Sequence, residues 1–275
     1  MLSHFEDKKL RKRIKQILDQ GMMEVHFNTN FAGTVPWCRD GGNLNTLDET
    51  RRRKDMDAFY LYLDEALEMG ATQLIFGSNT LGKEGNREGE KEQLKKSIIE
   101  ICRYLKENSI NKEPMYFSLE HCDTDVDKKA LIGHSLDTHK FVLECKKEVN
   151  NIGILFDMSH VLLLREDPAE EIKKMKDTVI QIHLANCTDD PKYPWFGDCH
   201  IRFGKDGLNN IDTVTRLFKS LIGINYFEDY YNKNKRMSIV ALEVRALNDE
   251  IPEVVRVNTQ RVLEQAWSRA CLEVE

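Results

Sequence analysis

The spacing of apolar residues along the chain changes repeatedly between a helical and an extended pattern. Apolar side chains between Leu10 and Leu18 recur at helical spacing and Gly21 follows them, which predicts an amphipathic helix over about 6–20. The same pattern predicts longer helices over about 48–69, up to about 108, and from Pro252 onward. Apolar runs that are too short for helices predict strands. These runs are MMEVHF (22–27), TQLIFGS (72–78), MYFSLE (115–120), IGILFD (152–157), VIQIHLA (179–185) and MSIVALEV (237–244).

Strands that alternate with helices are typical of parallel sheets with right-handed crossovers. The chain has 275 residues, close to the ~250 of one (β/α)8 barrel. No compositional break divides it, so the expected fold class is α/β, a single (β/α)8 TIM barrel domain over 1–275. Counting HIRFG (200–204) as a short strand gives seven strands. The N-terminal helix has no strand before it, so the barrel is expected to lack its first strand or to have it modified. An open side, a partner chain that fills the gap and a missing natural start all stay open.

The composition indicates a globular cytoplasmic protein. Hydrophobic residues make up 41% and charged residues 31%, and no apolar run approaches the ~20 residues of a membrane span. The charged start MLSHFEDKKLRKRIKQ does not have the apolar core of a signal peptide. Seven scattered cysteines, never spaced C-x-x-C, predict reduced thiols. The net charge of -6 gives no global attraction to nucleic acid, so nucleic acid is not the expected partner, and a homo-oligomer stays open.

Four predicted strands end in side chains that can bind a metal ion. Glu120 and Asp157 close their strands, and His183 and Glu243 lie near the ends of theirs. Buried charges without partners cost several kcal/mol, roughly, each, and a shared divalent cation removes that cost. A set of carboxylates and imidazole without thiolate suits Mn, Co, Mg or Zn, and the sequence does not choose among them.

A second group of polar side chains follows the same strands. His160 comes three residues after Asp157, and the outer residues of DCH, Asp198 and His200, point to one side of an extended segment. The alternative for this pair is a surface turn in GDCHIRFGKDG. Arg202 is a candidate for contact with a substrate phosphate or else a solvated side chain. The stretch DVDKKALIG (125–133) is expected to lead into a helix and is assigned no chemistry.

These residues carry a family resemblance. The stretches LEHCDTDVDKKALIG, GILFDMSH, IHLANCTDDPKYPWFGDCHIRFGKDG and VALEVR, in that order, resemble the sugar phosphate isomerase/epimerase family of xylose isomerase-like TIM barrels, the superfamily of D-tagatose 3-epimerase and endonuclease IV. The resemblance covers roughly 115 to 245 well. It implies one divalent cation held by Glu120, Asp157, His183 and Glu243. By the same resemblance, His160 and His200 would hold substrate oxygens, and Asp198 and Arg202 are the further candidates for substrate binding.

The resemblance also implies a reaction. In family members of the epimerase type the two metal-bound glutamates transfer protons on opposite faces of a sugar carbon, which gives Glu120 and Glu243 the catalytic roles here. A cation that binds a carbonyl and the adjacent hydroxyl oxygen acidifies the C–H between them and stabilises an enediolate. The expected function is therefore that of a metal-dependent isomerase or epimerase of a sugar or sugar phosphate.

Three other functions remain open from the sequence. Endonuclease IV, a zinc phosphodiesterase acting on abasic DNA, shares much of the ordered ligand set but needs further histidines on its second and third strands. Here the corresponding strands offer only His26 and an FGSN end without histidine. An inosose dehydratase or hydroxypyruvate isomerase type of activity uses the same kind of enediolate step. A non-catalytic metal-binding homologue is the last alternative.

Overall fold

A computed structural model of the protein describes residues 7–29, 41–83, 85–109, 114–204, 206–248 and 250–274. Helices and strands alternate through these ranges. The helices are α1 (Lys8–Gln20), α2 (Glu49–Glu68), α3 (Arg87–Asn108), α4 (Ser135–Cys145), α5 (Met158–Leu163), α6 (Pro168–Met175), α7 (Ile211–Gly223), α8 (Tyr226–Asn234) and α9 (Pro252–Val274). The strands are β1 (His26–Asn28), β2 (Gln73–Gly77), β3 (Tyr116–Glu120), β4 (Ile152–Asp157), β5 (Val179–Ala185) and β6 (Ile239–Glu243).

The chain divides into two compact units. The first consists of Met1–Glu120 with Phe141–Gly153, and the second of His121–Lys140 with Ile154–Glu275. This division does not test the prediction of a single domain, which stays a prediction. None of the helices in the described ranges has the length and apolar character needed to cross a membrane. The six cysteines in those ranges carry thiols rather than disulfides, as their scattered spacing predicted.

The first unit has a parallel sheet in chain order, β1-β2-β3. Its core contains aromatic rings that meet at close range: the Phe76 ring lies 5.7 Å from that of Phe59 and 5.7 Å from that of Phe117. The Arg52 side chain on α2 is fully buried, and it forms ion pairs with Glu49 and Glu100. The buried guanidinium is thus neutralised by two acids, as a buried charge requires.

The second unit has parallel strands in the order β4-β5-β6. Every residue of β4 and β5 is buried, which explains their nearly continuous apolar sequences. The register pairs Asp157 with His183 and Ala185 with Glu243. Because parallel strands end at the same edge of a sheet, this register brings the polar ends of β4, β5 and β6 together.

The predicted strands agree with the structure best where the apolar run is fully buried. The ends of β4 and β5 coincide with the prediction, whereas β1 is shorter than MMEVHF and consists of three residues. The predicted seventh strand, HIRFG, is wrong: 200–204 has no strand structure. His200 has a φ of 51°, in the left-handed region that a strand cannot contain. The described ranges therefore hold six strands.

Candidate metal site

Asp157, His183 and Glu243 converge at the polar edge of the second unit. Each offers a ligand atom, and these atoms lie within 4.8 Å of one another. The Nδ1 atom of His183 is 3.6 Å from Oδ2 of Asp157 and in direct contact with Oε2 of Glu243. Asp157 and His183 are almost fully buried, and the Glu243 side chain is 16% exposed. We refer to these three residues as the strand-end cluster.

The atoms that face one another in this cluster have no other partner. Asp157 Oδ2, His183 Nδ1 and Glu243 Oε2 are buried, and apart from their contacts with one another they form no hydrogen bond with any atom of the described residues. The other carboxylate oxygen of Asp157 is held: it accepts from the Ser159 backbone N–H at 2.7 Å and lies 2.6 Å from the Ser159 hydroxyl. Buried polar atoms are rarely left without a partner. Two carboxylates and an imidazole whose ligand atoms converge on one point suit a divalent cation.

The charges in the cluster influence one another strongly. Burial alone lowers the pKa of His183, but the carboxylates of Asp157 and Glu243 outweigh it and raise the pKa to about 10. Burial raises the pKa of Asp157, and the neighbouring imidazoles of His183 and His160 bring it below its usual range. A proton on His183 therefore offsets one of the two carboxylate charges. A cation that binds Nδ1 has to displace that proton.

Glu120, the fourth predicted ligand, is the last residue of β3 and of the first unit. It is 7% exposed. The next residue, His121, belongs to the second unit, where its Nδ1 lies 3.1 Å from the carbonyl of Leu155 and its ring packs on Phe156. The role of Glu120 as a ligand stays a prediction.

A second group, which we call the Asp198 cluster, consists of Asp123, Lys128, His160, Asp198 and His200. Three cationic groups surround one oxygen, Asp198 Oδ2: Lys128 Nζ at 3.2 Å, His160 Nε2 at 3.5 Å and His200 Nε2 at 3.0 Å. The other ring nitrogen of His160 lies 3.4 Å from Oδ2 of Asp123. Every charge in this cluster therefore has an opposite charge beside it.

Backbone hydrogen bonds place Lys128 in that cluster. The carboxylate of Asp123 accepts from the N–H groups of Val126, Asp127 and Lys128 at 3.0, 2.6 and 3.1 Å. These bonds close the loop after β3 into a tight turn. The Lys128 ammonium consequently reaches both Asp127 and Asp198.

The ionisation of the Asp198 cluster follows from these contacts. Burial lowers the pKa of His160, but Cys122, Asp198 and Asp123 together raise it well above its usual range. Burial likewise opposes the charged form of His200, and Asp198 raises its pKa to about 9. Burial raises the pKa of Asp198, and the cations around it lower it well below its usual range. The histidines are therefore imidazolium donors at neutral pH.

His200 is held in a strained backbone conformation. Its φ of 51° costs a residue other than glycine on the order of 1 kcal/mol. Arg245 opposes this cost: its backbone N–H donates to the His200 carbonyl at 3.0 Å, and its Nε donates to the Cys199 carbonyl at 2.9 Å. The imidazole of His200, 27% exposed, thus stays beside Asp198, with Nδ1 3.9 Å from Oε1 of Glu243.

The ion pairs of Arg202 are formed with residues that belong to neither cluster. Its guanidinium lies 3.3 Å from Glu250 and 3.6 Å from Asp206, and the side chain is 56% exposed. It lines a pocket of about 380 Å³ together with residues of α9 such as Arg261. The role of Arg202 in substrate binding stays a prediction.

Two residues of these clusters were missed by the sequence analysis. Lys128 lies in the stretch 125–133 that was assigned no chemistry, and Asp123 precedes it. Their contacts join positions 37 and 70 residues apart, with His160 and Asp198, and no local pattern encodes such distances. The available signal was the density of acids after Glu120, because Asp side chains commonly organise the turn that follows a strand.

Comparisons with known proteins agree with this architecture. A family model described as xylose isomerase-like TIM barrel matches residues 2–239. A search of curated proteins finds no match. A solved D-tagatose 3-epimerase-like protein is similar with a TM-score of 0.70 and 16% identity, over 98% of this chain and 86% of that one.

Two further solved structures are similar. L-ribulose 3-epimerase has a TM-score of 0.73 and 11% identity, over 98% of this chain and 84% of that one. A family 2 AP endonuclease from Brucella melitensis has a TM-score of 0.58 and 18% identity, over 85% of this chain and 77% of that one. Identities this low show a likeness of fold only. The family match, which spans most of the chain, confirms the predicted fold class, and the chain belongs to the xylose isomerase-like TIM barrel family.

Proposed function

We propose that the chain is a divalent-metal-dependent isomerase or epimerase of a sugar or sugar phosphate. The observation that carries the proposal is the strand-end cluster. In it, three buried ligand atoms from three strands face one another and have no other hydrogen-bond partner among the described residues. The likeness of fold to D-tagatose 3-epimerase-like protein and L-ribulose 3-epimerase supports the choice of chemistry.

The proposed ligands are Glu120, Asp157, His183 and Glu243. Glu120 ends β3 as Asp157 ends β4, and it is bonded to His121, whose ring is fixed beside β4. A carboxylate at this point adds a third negative charge to the set, which suits a divalent cation. When bound, the cation supplies Lewis-acid polarisation of a carbonyl and its neighbouring hydroxyl, which acidifies the C–H between them.

Proton transfer is proposed for Glu120 and Glu243. Glu243 is the member of the strand-end cluster with the most exposed side chain, so a substrate carbon can approach its carboxylate. A base within hydrogen-bond reach of the acidified C–H removes the proton. Return of a proton to the same carbon from the opposite face inverts it, and return to the neighbouring carbon moves the carbonyl.

The Asp198 cluster is proposed to bind substrate oxygens. His200 is partly exposed and stands 3.9 Å from Glu243, so its imidazolium can donate to a hydroxyl or carbonyl next to the reacting carbon. His160 has a carboxylate beside each ring nitrogen, and we propose that it acts by keeping Asp198 and thereby His200 in place. Arg202 remains a candidate for a phosphate further out.

An abasic-DNA phosphodiesterase with several zinc ions is the second candidate, because of the likeness to the AP endonuclease. The Asp198 cluster argues against it. A second divalent cation at Asp198 Oδ2 would meet the ammonium of Lys128 and two imidazolium groups. Like charges at such distances repel strongly in a buried site. A single-cation enzyme is therefore the better proposal.

Solvent deuterium exchange tests the proposed chemistry without knowledge of the product. The Mn²⁺-loaded protein is incubated in D2O with a panel of ketoses and ketose phosphates, and deuterium at carbon is followed by NMR. We expect incorporation into at least one sugar and its loss by about 100-fold or more in Glu243→Gln. Glu228→Gln, an exposed glutamate of α8, is the matched control and keeps the wild-type rate.

Further substrates separate the alternatives. With an inosose added to the panel, a dehydratase would release water, and the NMR signals of the carbons that lose the hydroxyl and the hydrogen would change. Cleavage of an oligonucleotide with an abasic site, without exchange in any sugar, would contradict the proposal and support the phosphodiesterase. A metal-loaded protein inactive in both assays would support the non-catalytic homologue.

A further inference from the structure

Gln181 lies directly behind the imidazole of the strand-end cluster. It precedes His183 by two residues on β5, so both side chains point to the same face of the sheet. Its amide nitrogen is 2.7 Å from Nε2 of His183, the ring nitrogen that points away from Asp157 and Glu243. Gln181 is 2% exposed, and its Oε1 forms no hydrogen bond with any described residue.

The chemistry of the ring decides what Nε2 needs. When Nδ1 binds a cation, the proton of a neutral imidazole is on Nε2, and a buried N–H requires an acceptor. When Nδ1 also carries a proton, Nε2 is again a donor. In both states the neighbour of Nε2 has to offer an oxygen atom as the hydrogen-bond acceptor.

The Gln181 amide can meet this need without any other movement. A half-turn of the planar amide exchanges the positions of its oxygen and nitrogen, which have nearly the same size. Oε1 then accepts from His183 Nε2–H, so the amide oxygen gains a partner. The polar residue in the apolar run VIQIHLA thereby has a partner on its own strand.

We propose that Gln181 is a positioning residue of the metal site: it accepts the Nε2–H of His183 and so directs Nδ1 toward the cation. The inference rests on the proposed metal site and adds the residue that orients its imidazole. Acceptors behind metal-bound histidines fix the tautomer and ring orientation, and their loss typically lowers metal affinity by about 10- to 100-fold.

Metal affinity tests the proposal. The Kd of Mn²⁺ is measured by calorimetry for the wild type, Gln181→Met and Gln181→Glu. Methionine keeps the volume but offers no comparable acceptor, so we expect a 10- to 100-fold weaker Kd. Glutamate keeps the acceptor, so its Kd equals or improves on that of the wild type. Gln260→Met, on the exposed face of α9, is the matched control and leaves the Kd unchanged.

A second measurement reads the ring directly, and its result for the wild type does not depend on the folding of a variant. In Zn²⁺-loaded protein labelled with ¹⁵N, NMR should show His183 with a slowly exchanging Nε2–H in the wild type and a faster one in Gln181→Met. A Gln181→Met protein that is folded and binds Mn²⁺ within twofold of the wild type overturns the proposal, as does ligation through Nε2. A wild type that binds no cation overturns the proposed function as well, so the two failures are distinguishable.

Discussion

The strand-end cluster and the Asp198 cluster lie side by side in the second unit, yet they handle buried charge in opposite ways. In the strand-end cluster, Oδ2 of Asp157 and Oε2 of Glu243 face a single imidazole and have no other hydrogen-bond partner among the described residues. In the Asp198 cluster, one carboxylate oxygen has three cationic neighbours. Ser159 connects the two, because its hydroxyl lies 2.6 Å from Asp157 and 2.8 Å from Asp198.

This difference separates a site for a metal ion from a group of charges that are already paired, whose partly exposed His200 is the proposed contact with substrate. A carboxylate whose neighbours are already cations has little to gain from a metal ion, whereas two carboxylates that share one proton have much to gain. We therefore expect changes in the Asp198 cluster to affect stability and changes in the strand-end cluster to affect metal binding.

Asp198→Asn is expected to lower the free energy of unfolding by about 3 kcal/mol, because it leaves buried imidazolium groups and Lys128 without their common carboxylate. Urea unfolding at pH 7 measures this loss. The Mn²⁺ affinity of the folded variant should stay within about threefold of the wild type. The control is Asp212→Asn, which breaks an exposed ion pair with Arg269 and should cost less than about 1 kcal/mol. Equal losses in the two variants would contradict the interpretation of Asp198.

Asp157→Asn should have the opposite effect: it should weaken metal binding and leave the stability of the fold unchanged. The asparagine oxygen can still accept from the Ser159 N–H that caps α5, so the fold is kept. Loss of the ligand charge should weaken Mn²⁺ binding about 100-fold or more. Calorimetry measures it, with Asp167→Asn as the control because Asp167 caps α6 in the same manner and lies outside both clusters. An unchanged Kd in Asp157→Asn would show that the cation binds elsewhere.

Metal affinity should increase with pH. The carboxylates raise the pKa of His183 to about 10, so the ring is protonated at pH 7 and a cation has to displace that proton. Below the raised pKa, each unit of pH should therefore improve the apparent Kd by about tenfold. The folded-state pKa lies above the ordinary value, so the trend must run toward tighter binding from pH 6.5 to 8.5. A flat profile over this window would mean that His183 is not a ligand.

Lys128→Met is expected to have the smallest effect. Its side chain is 43% exposed, so its pair with Asp198 is partly screened by water and the loss of that pair should cost about 1 kcal/mol. Thermal unfolding measures this cost. Binding of Mn²⁺ at the strand-end cluster should not change, and a large change would show that the two clusters are electrostatically one unit.

The parts of the fold that the sequence predicted well are those governed by local patterns. IGILFD and VIQIHLA are buried apolar runs with sharp ends, and β4 and β5 match them residue for residue. Asp157 stands out because it ends such a run and also caps the helix that begins at the next residue. The seventh strand was wrong because the left-handed backbone at His200 is stabilised by Arg245, which is distant in sequence.

Within the site, the residues at the ends of strands were predicted from the sequence. Their partners in the loops were not. Lys128 meets Asp198 because Asp123 folds the loop after β3 through three backbone hydrogen bonds. Gln181 carried a usable signal, since a polar residue two positions before a candidate ligand on an apolar strand shares its face. Its importance depends on the 2.7 Å approach to His183, which only the structure provides.

Cation content is the most direct test of the claim that the strand-end cluster is a single-metal site. Protein purified without chelator is analysed by inductively coupled plasma mass spectrometry, for the wild type, Glu243→Gln and the control Glu228→Gln. We predict about one divalent cation per chain in the wild type and the control, and a clear reduction in Glu243→Gln. No cation in the wild type, or two to three zinc ions per chain, would contradict the account.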